Sequence, residues 1–293
     1  MKSITIFLLI LICISTRAQE LIFPDLEIKP LPFSMFWNSK SLFNPAASGV
    51  DNRYYAAVAG GEQWIGTNYE PRDIGVILAM KSDFLHGAIG MNYVHTAFPE
   101  VFKIHNLNAI YSYHINLGNE KILSAGISGG ISLVTSDYTM YDPPFYNEKS
   151  TNSNYNLQLG MLYRSDHLQL GLSSHHFEYT DIYSAGKEIS SNIYIYSSYR
   201  FDIGEILDIN PQLLITRHKS YTEIINLSSG LLFAFKERFW TGFTYRTDNT
   251  YGGLAGFDIA GIVRIGYSYE IRTKVSGIEN YGNHELLVAL MLR

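Results

Sequence analysis

The chain holds a single cysteine in 293 residues, Cys13, and that cysteine lies in a stretch that reads as an export signal. Lys2 supplies a basic start, residues 4–14 are almost unbroken apolar sequence, and Thr16 and Ala18 precede a cut ahead of Gln19. This is the layout of a secretory signal peptide over residues 1–18. Ile12 stands where a lipoprotein signal would place a small residue. The mature chain then carries no thiol, which excludes disulfides, thiolate metal sites and a cysteine nucleophile. Long apolar runs are missing too: residues 4–14 are too few to cross a bilayer, and no other stretch approaches the ~20 residues that a helical span needs. Positive charge is also scarce. Without Lys2 and Arg17, 20 basic side chains face 27 acidic ones, a net charge of −7. That balance disfavours nucleic acid as a partner.

What fills the chain is period two. In 155–164, Tyr155, Leu157, Leu159, Met161 and Tyr163 alternate with Asn156, Gln158, Gly160 and Arg164, and Leu162 is the exception. In 262–272, Val263, Ile265, Tyr267, Tyr269 and Ile271 alternate with Arg264, Gly266, Ser268, Glu270 and Arg272. Alternation of this kind marks strands. Fourteen such segments lie near 53–60, 73–80, 86–96, 102–115, 121–134, 155–164, 167–174, 191–201, 207–217, 222–235, 238–246, 252–259, 262–272 and 284–293. The even count is that of a bacterial outer-membrane barrel.

The connections alternate in length. Every second gap is short: KSDFL, NLGNE, SDH, DIGEI, KER and AG. The others are mostly longer and more polar, DNTY excepted, and the longest runs through Tyr138, Tyr141 and Tyr146. In outer-membrane barrels the short turns are periplasmic, which places both termini on that side. A soluble sheet also alternates. Bulky charges on the polar face (Arg164, Arg246, Arg264, Glu270) instead suit a wet lumen, and Tyr or Trp at strand ends suits interfacial girdles. The expected fold is all-β, a 14-stranded antiparallel transmembrane β-barrel over 53–293. Residues 19–52 do not alternate. They contain Pro24, Pro30, Pro32, Pro45 and the apolar run LPFSMFW, so they need burial as a cap or plug in the lumen or at the periplasmic mouth.

Signs of chemistry are few. His175-His176 lacks an HExxH context, and the strand glycines of GAIG and GISGG have no Walker lysine after them. Ser173, Ser174 and His175 alternate across a strand, and no GxSxG elbow occurs. The reading is non-enzymatic, with no catalytic residue, cofactor or metal ligand. Lumen arginines such as Arg164, Arg200 and Arg264 line a path or pair with acids.

Three motifs carry a family resemblance. FNPAASG at 43–49, with Asn44, Pro45, Ala46 and Gly49, resembles the FNPAYAG-type opening of the PorP/SprF family, with Ala47 in place of tyrosine. Gln63, Trp64 and Gly66 match its QWxG, followed by Pro71. His284 and Glu285 match its final Ser-His-Glu, with Asn283 replacing the serine. The resemblance implies an outer-membrane protein of the type IX secretion system of Bacteroidota. Such a protein would support surface attachment of adhesin-like cargo through the cargo's C-terminal sorting domain, together with other secretion components, and some members are linked to gliding motility. Recognition would use the long loops, where Tyr138, Tyr141 and Tyr146 suit a contact hot spot. The alternative is a small-molecule or fatty-acid channel in the outer-membrane lipid.

Overall fold

In the computed structural model the described residues are 32–65, 70–98, 102–137, 149–180, 187–219, 223–236, 238–273 and 281–292. The expected signal peptide, 1–18, and residues 19–31 of the cap segment lie outside them.

The strands are β1 (Tyr54–Glu62), β2 (Arg72–Ser82), β3 (Gly87–Phe98), β4 (Phe102–Gly118), β5 (Lys121–Asp137), β6 (Lys149–Arg164), β7 (Leu168–Thr180) and β8 (Lys187–Tyr199). They continue with β9 (Phe201–Ile203), β10 (Leu207–Lys219), β11 (Glu223–Phe235), β12 (Phe239–Arg246), β13 (Thr250–Ile259), β14 (Val263–Arg272) and β15 (Tyr281–Leu292). All lie in one antiparallel sheet, and β15 pairs back onto β1, with Val58 opposite Val288. The sheet is therefore closed, so no backbone edge meets lipid unpaired.

β8 and β9 form one wall strand with a break at Arg200. Both pair with β10 in a single register, Gln212 opposite Ser198 and Ile209 opposite Phe201. That register brings Pro211 to the break, and proline has no N–H to give to a ladder. The barrel thus has fourteen strands, one in each expected segment. The bounds differ most toward the long loops, where β6 begins at Lys149 and β7 runs to Thr180. There both faces become polar, as in KSTNSN and SSHHFEYT, so alternation fades while backbone pairing continues.

Two short turns show their local cause. Asn119 and Glu120 have φ of 49° and 57°, and Ala260 and Gly261 have 53° and 66°. Two successive residues with positive φ match the right-handed twist of a tight hairpin, which favours Asn and Gly there.

Polarity is inverted relative to a soluble sheet. Ile74, Leu78 and Met80 of β2 are exposed, while Asp73, Ile77 and Ala79 are buried. Leu157, Leu159 and Met161 of β6 are exposed, while Asn156, Gln158 and Leu162 are buried. The apolar outer face is the lipid-facing band of a membrane barrel. Tyr54, Tyr113, Phe235 and Phe239 flank it toward the short turns, and Tyr155, Tyr251 and Tyr269 toward the long loops. The tryptophans do not join these girdles, contrary to expectation. Trp37 precedes the barrel, Trp64 follows β1, and Trp240 points inward at 6 % exposure.

Val58 lies at the outward-facing middle of β1, 51 % exposed. Val58→Arg is expected to destabilise the barrel by about 2–4 kcal/mol, the cost of a cation near the bilayer midplane, and Val58→Ile by far less. Denaturant unfolding in lipid vesicles measures both.

Candidate functional site

The lumen is occupied by the chain's own N-terminal segment. Residues 32–50 form three 3-10 turns, Phe36–Asn38, Lys40–Leu42 and Pro45–Ala47. Phe33, Met35, Phe36, Trp37, Phe43, Ala46 and Val50 join inward-facing Leu162, Tyr194, Tyr196, Leu214, Trp240 and Leu287 in one hydrophobic core. This accounts for Leu162, the exception to alternation in β6: it faces a protein core rather than water. It also accounts for Trp240, whose ring occupies the space that a Cβ at Gly256 or Gly266 would fill, at 2.2 and 2.5 Å.

The FNPA motif packs directly against the wall. Asn44 is 1 % exposed and caps its turn, its Oδ1 accepting from Ala46 N at 3.0 Å. Its Nδ2 donates to the Met161 carbonyl on β6 at 3.0 Å. Pro45 stands at the first position of the turn, where the missing N–H costs nothing. Glycines in the wall admit this turn. A Cβ at Gly126 would lie 2.3 Å from Ala46 N, and one at Gly160 would lie 2.1 Å from Asn44 Oδ1. Gly49 has φ of 71° and turns the chain beside Ala88 and His114. Ser48 O accepts from Ser112 Oγ at 2.9 Å, and Phe43 O from Ser173 Oγ at 2.5 Å.

Toward the short turns the plug is held by charge. Lys40 pairs with Asp51, which also accepts from Gln169 Nε2 at 3.0 Å. Arg164 Nη1 donates to the Val50 carbonyl at 3.0 Å. Burial alone would raise the Asp51 carboxyl, but Lys40, with Arg164 and Gln169, outweighs it and holds the pKa below the ordinary carboxylate value. Burial would lower Lys40, and Asp51 outweighs it, so that pKa is raised. The pair's contribution is full at neutral pH. It is lost only as pH falls through the depressed Asp51 value or rises through the elevated Lys40 value. Arg264 bridges Asp258, at 2.7 Å, and Asn38 Oδ1, at 2.9 Å. Arg246 pairs with Glu270 at 3.0 Å and Arg200 with Asp202 at 2.9 Å. The lumen arginines therefore pair with acids and with the plug.

Toward the long loops the plug is held by Glu285, itself 6 % exposed. Its Oε2 accepts from Ser34 N and from Ser34 Oγ, each at 2.5 Å, and Ser268 Oγ lies 2.6 Å from Ser34 Oγ. The other two motifs meet at this rim across the β1–β15 seam. Trp64 N donates to Asn283 Oδ1 at 3.2 Å, and Glu62 pairs with His284 in register. Gln63 Nε2 donates to Asp73 at 2.7 Å, and Pro71 O accepts from Gln63 N at 2.9 Å. His284 faces outward between Tyr267, whose OH lies 2.5 Å from Nδ1, and Tyr269. The structure thus gathers Gln63, Trp64, His284 and Glu285 at one end of the barrel. It places Asn44, Pro45, Ala46 and Gly49 deeper, toward the short turns. Gly66, Tyr138, Tyr141 and Tyr146 lie outside the described residues. Ser34, Gly126 and Gly160 complete the site; Gly126 opens the strand glycines of GISGG, and Ser34 and Gly160 carry no motif of their own.

On the long-loop side of the plug turns, the wall presents polar side chains. Asn108 Oδ1, Asn154 Oδ1 and Asn156 Oδ1 are buried with no hydrogen-bond partner among the described residues, as is Gln158 Oε1, whose Nε2 donates to the Leu42 carbonyl of the plug at 3.3 Å. His175 also faces inward and His176 outward, so the pair shares no site. Among the described residues no group of three His, Cys, Asp or Glu could hold a metal.

The sequence profile described as type IX secretion system membrane protein PorP/SprF matches residues 26–290. The chain belongs to the PorP/SprF family. A solved structure agrees on the fold. A monoaromatic hydrocarbon channel, CymD, superposes with a TM-score of 0.54 at 9 % identity, over 87 % of this chain and 93 % of its own. Omp33, an outer membrane protein of Acinetobacter baumannii, gives 0.48 at 11 % identity, over 83 % of this chain and 100 % of its own. No curated protein matches the chain in sequence. In this PorP/SprF protein, then, the family's opening and closing motifs are the residues that seat a plug inside an outer-membrane barrel fold.

Leaving a buried donor without its partner costs roughly 1–3 kcal/mol, so Glu285→Ala should speed amide exchange at Ser34 and Met35, whose N–H groups both donate to that carboxyl, by about five- to a hundredfold. Exchange at Ala46 should stay near wild type. Asn44→Ala should do the reverse, and Asn44→Asp, which keeps the acceptor for Ala46 N, should fall between. Hydrogen exchange read by mass spectrometry on the folded barrel separates the two anchors.

Proposed function

We propose that this protein is a non-enzymatic outer-membrane component of the type IX secretion system. Its role is to support secretion and surface attachment of adhesin-like cargo by binding the cargo's C-terminal sorting domain. The observation that carries this reading is the filled lumen in a member of a secretion-system family. A barrel whose interior is a protein core, anchored by Glu285 at one end and by Arg164 and Gln169 toward the other, is a scaffold. That core counts against the channel alternative.

In the orientation usual for such barrels, the short turns face the periplasm and the long loops face the cell exterior. Cargo then meets the long-loop rim. The acceptors of Asn108, Asn154 and Asn156, without a partner among the described residues, lie toward that rim, and such groups take up donors from water or from a ligand. The loop with Tyr138, Tyr141 and Tyr146 supplies the apolar contacts of the same surface.

Deleting the gene and comparing surface and released proteins by mass spectrometry tests this reading. Loss or shedding of one or a few proteins bearing a type IX sorting domain is the expected result and names the cargo. An unchanged surface profile, together with ion conductance by the purified barrel, would overturn it in favour of a channel.

A further inference from the structure

The plug has a direction. Pro32 and Ser34 line a small cavity with Gly61 and Asn283, at the long-loop ends of β1 and β15, and with Gln63, which follows β1. Phe33 packs where a Cβ at Gly75 would lie, three residues into β2 from the same rim. The chain then descends. Asn38 O accepts from Tyr55 OH at 2.6 Å, and Tyr55 is the second residue of β1 at the short-turn end. Lys40 meets Gln169 at 2.7 Å, and Gln169 is the second residue of β7 at that end. Residues 41–50 then circle the lower lumen past β3, β6, β5 and β4, through contacts of Ser41 with Asn92, Asn44 with Met161, Ala46 with Gly126 and Ser48 with Ser112. The chain enters β1 beside Lys81, whose N donates to Arg53 O at 2.7 Å.

The path crosses the lumen once, from the long-loop mouth to the short-turn mouth. We infer that the plug enters the lumen from the long-loop mouth, so that Pro32 stands at the cell-surface side, on the opposite side of the membrane from the end of β15. The inference rests on the orientation proposed above. It departs from the expectation that both termini are periplasmic and keeps that side for the C-terminal end alone.

The mature chain has no native cysteine, so single cysteines report sidedness cleanly. Phe84→Cys marks a short turn, where Phe84 is 89 % exposed, and Ser150→Cys marks the long-loop rim. Glu20→Cys and Glu27→Cys are the test positions, two being used so that local cover at one does not decide the result. Intact cells are treated with a membrane-impermeant maleimide, and parallel samples after the outer membrane is permeabilised. The expected result is labelling of position 20 or 27 in intact cells together with Ser150→Cys, while Phe84→Cys labels only after permeabilisation. Labelling of neither position in intact cells whose Ser150→Cys is labelled would overturn the inference. If instead Phe84→Cys labels in intact cells and Ser150→Cys does not, the proposed orientation fails. In that event the lumen crossing itself still stands or falls by whether positions 20 and 27 label with Ser150→Cys.

Discussion

The packing of residues 32–50 against the inner wall is the contact on which the rest of this barrel depends. A membrane barrel must turn an apolar face to lipid, and that leaves its inner face to be matched by something. Here the match is a folded segment of the same chain. Phe36 and Phe43 are buried against Tyr194 and Tyr196, and Met35 lies against Gly266. Apolar wall residues such as Leu162 and Leu214 gain the same burial that they would have in a soluble core, at roughly 25 cal/mol per Å² of apolar surface. The wall therefore faces two non-aqueous environments over much of its height, lipid outside and protein inside.

Close approach explains why the opening motif has the residues it has. A turn can sit flat against a β-wall only where the wall lacks side chains, and Gly126 and Gly160 supply that absence opposite Ala46 and Asn44. Asn44 then serves both partners at once, capping its own turn with Oδ1 and tying to the wall with Nδ2. No apolar residue of similar size could do both.

The two ends of the barrel hold the plug by different means. Near the short turns the grip is ionic and paired. Near the long loops one carboxylate, Glu285, takes the backbone and hydroxyl of Ser34. Glu285 lies on β15, the strand that closes the sheet against β1, and Trp64 and Asn283 tie the same seam. Seating of the plug and closure of the barrel are therefore linked through shared residues.

Much of this was written locally. Strand number, the inward and outward faces, the alternation of turn lengths and the need to bury LPFSMFW follow from period two and composition, because each depends on neighbours two residues apart or on a short window. The motifs at 43–49, 63–66 and 283–285 pointed to the family as strings, without saying what the residues touch. The tertiary structure alone decided that Ser34 meets Glu285, 251 positions away in the chain. It alone matched Asn44 to the glycine of β6, laid the Trp240 ring over Gly256 and Gly266 and gave the plug its direction through the lumen. Those outcomes depend on which side chains a closed sheet brings face to face across its interior. The shape of an enclosed space belongs to all fourteen strands together, and no window of the sequence contains it.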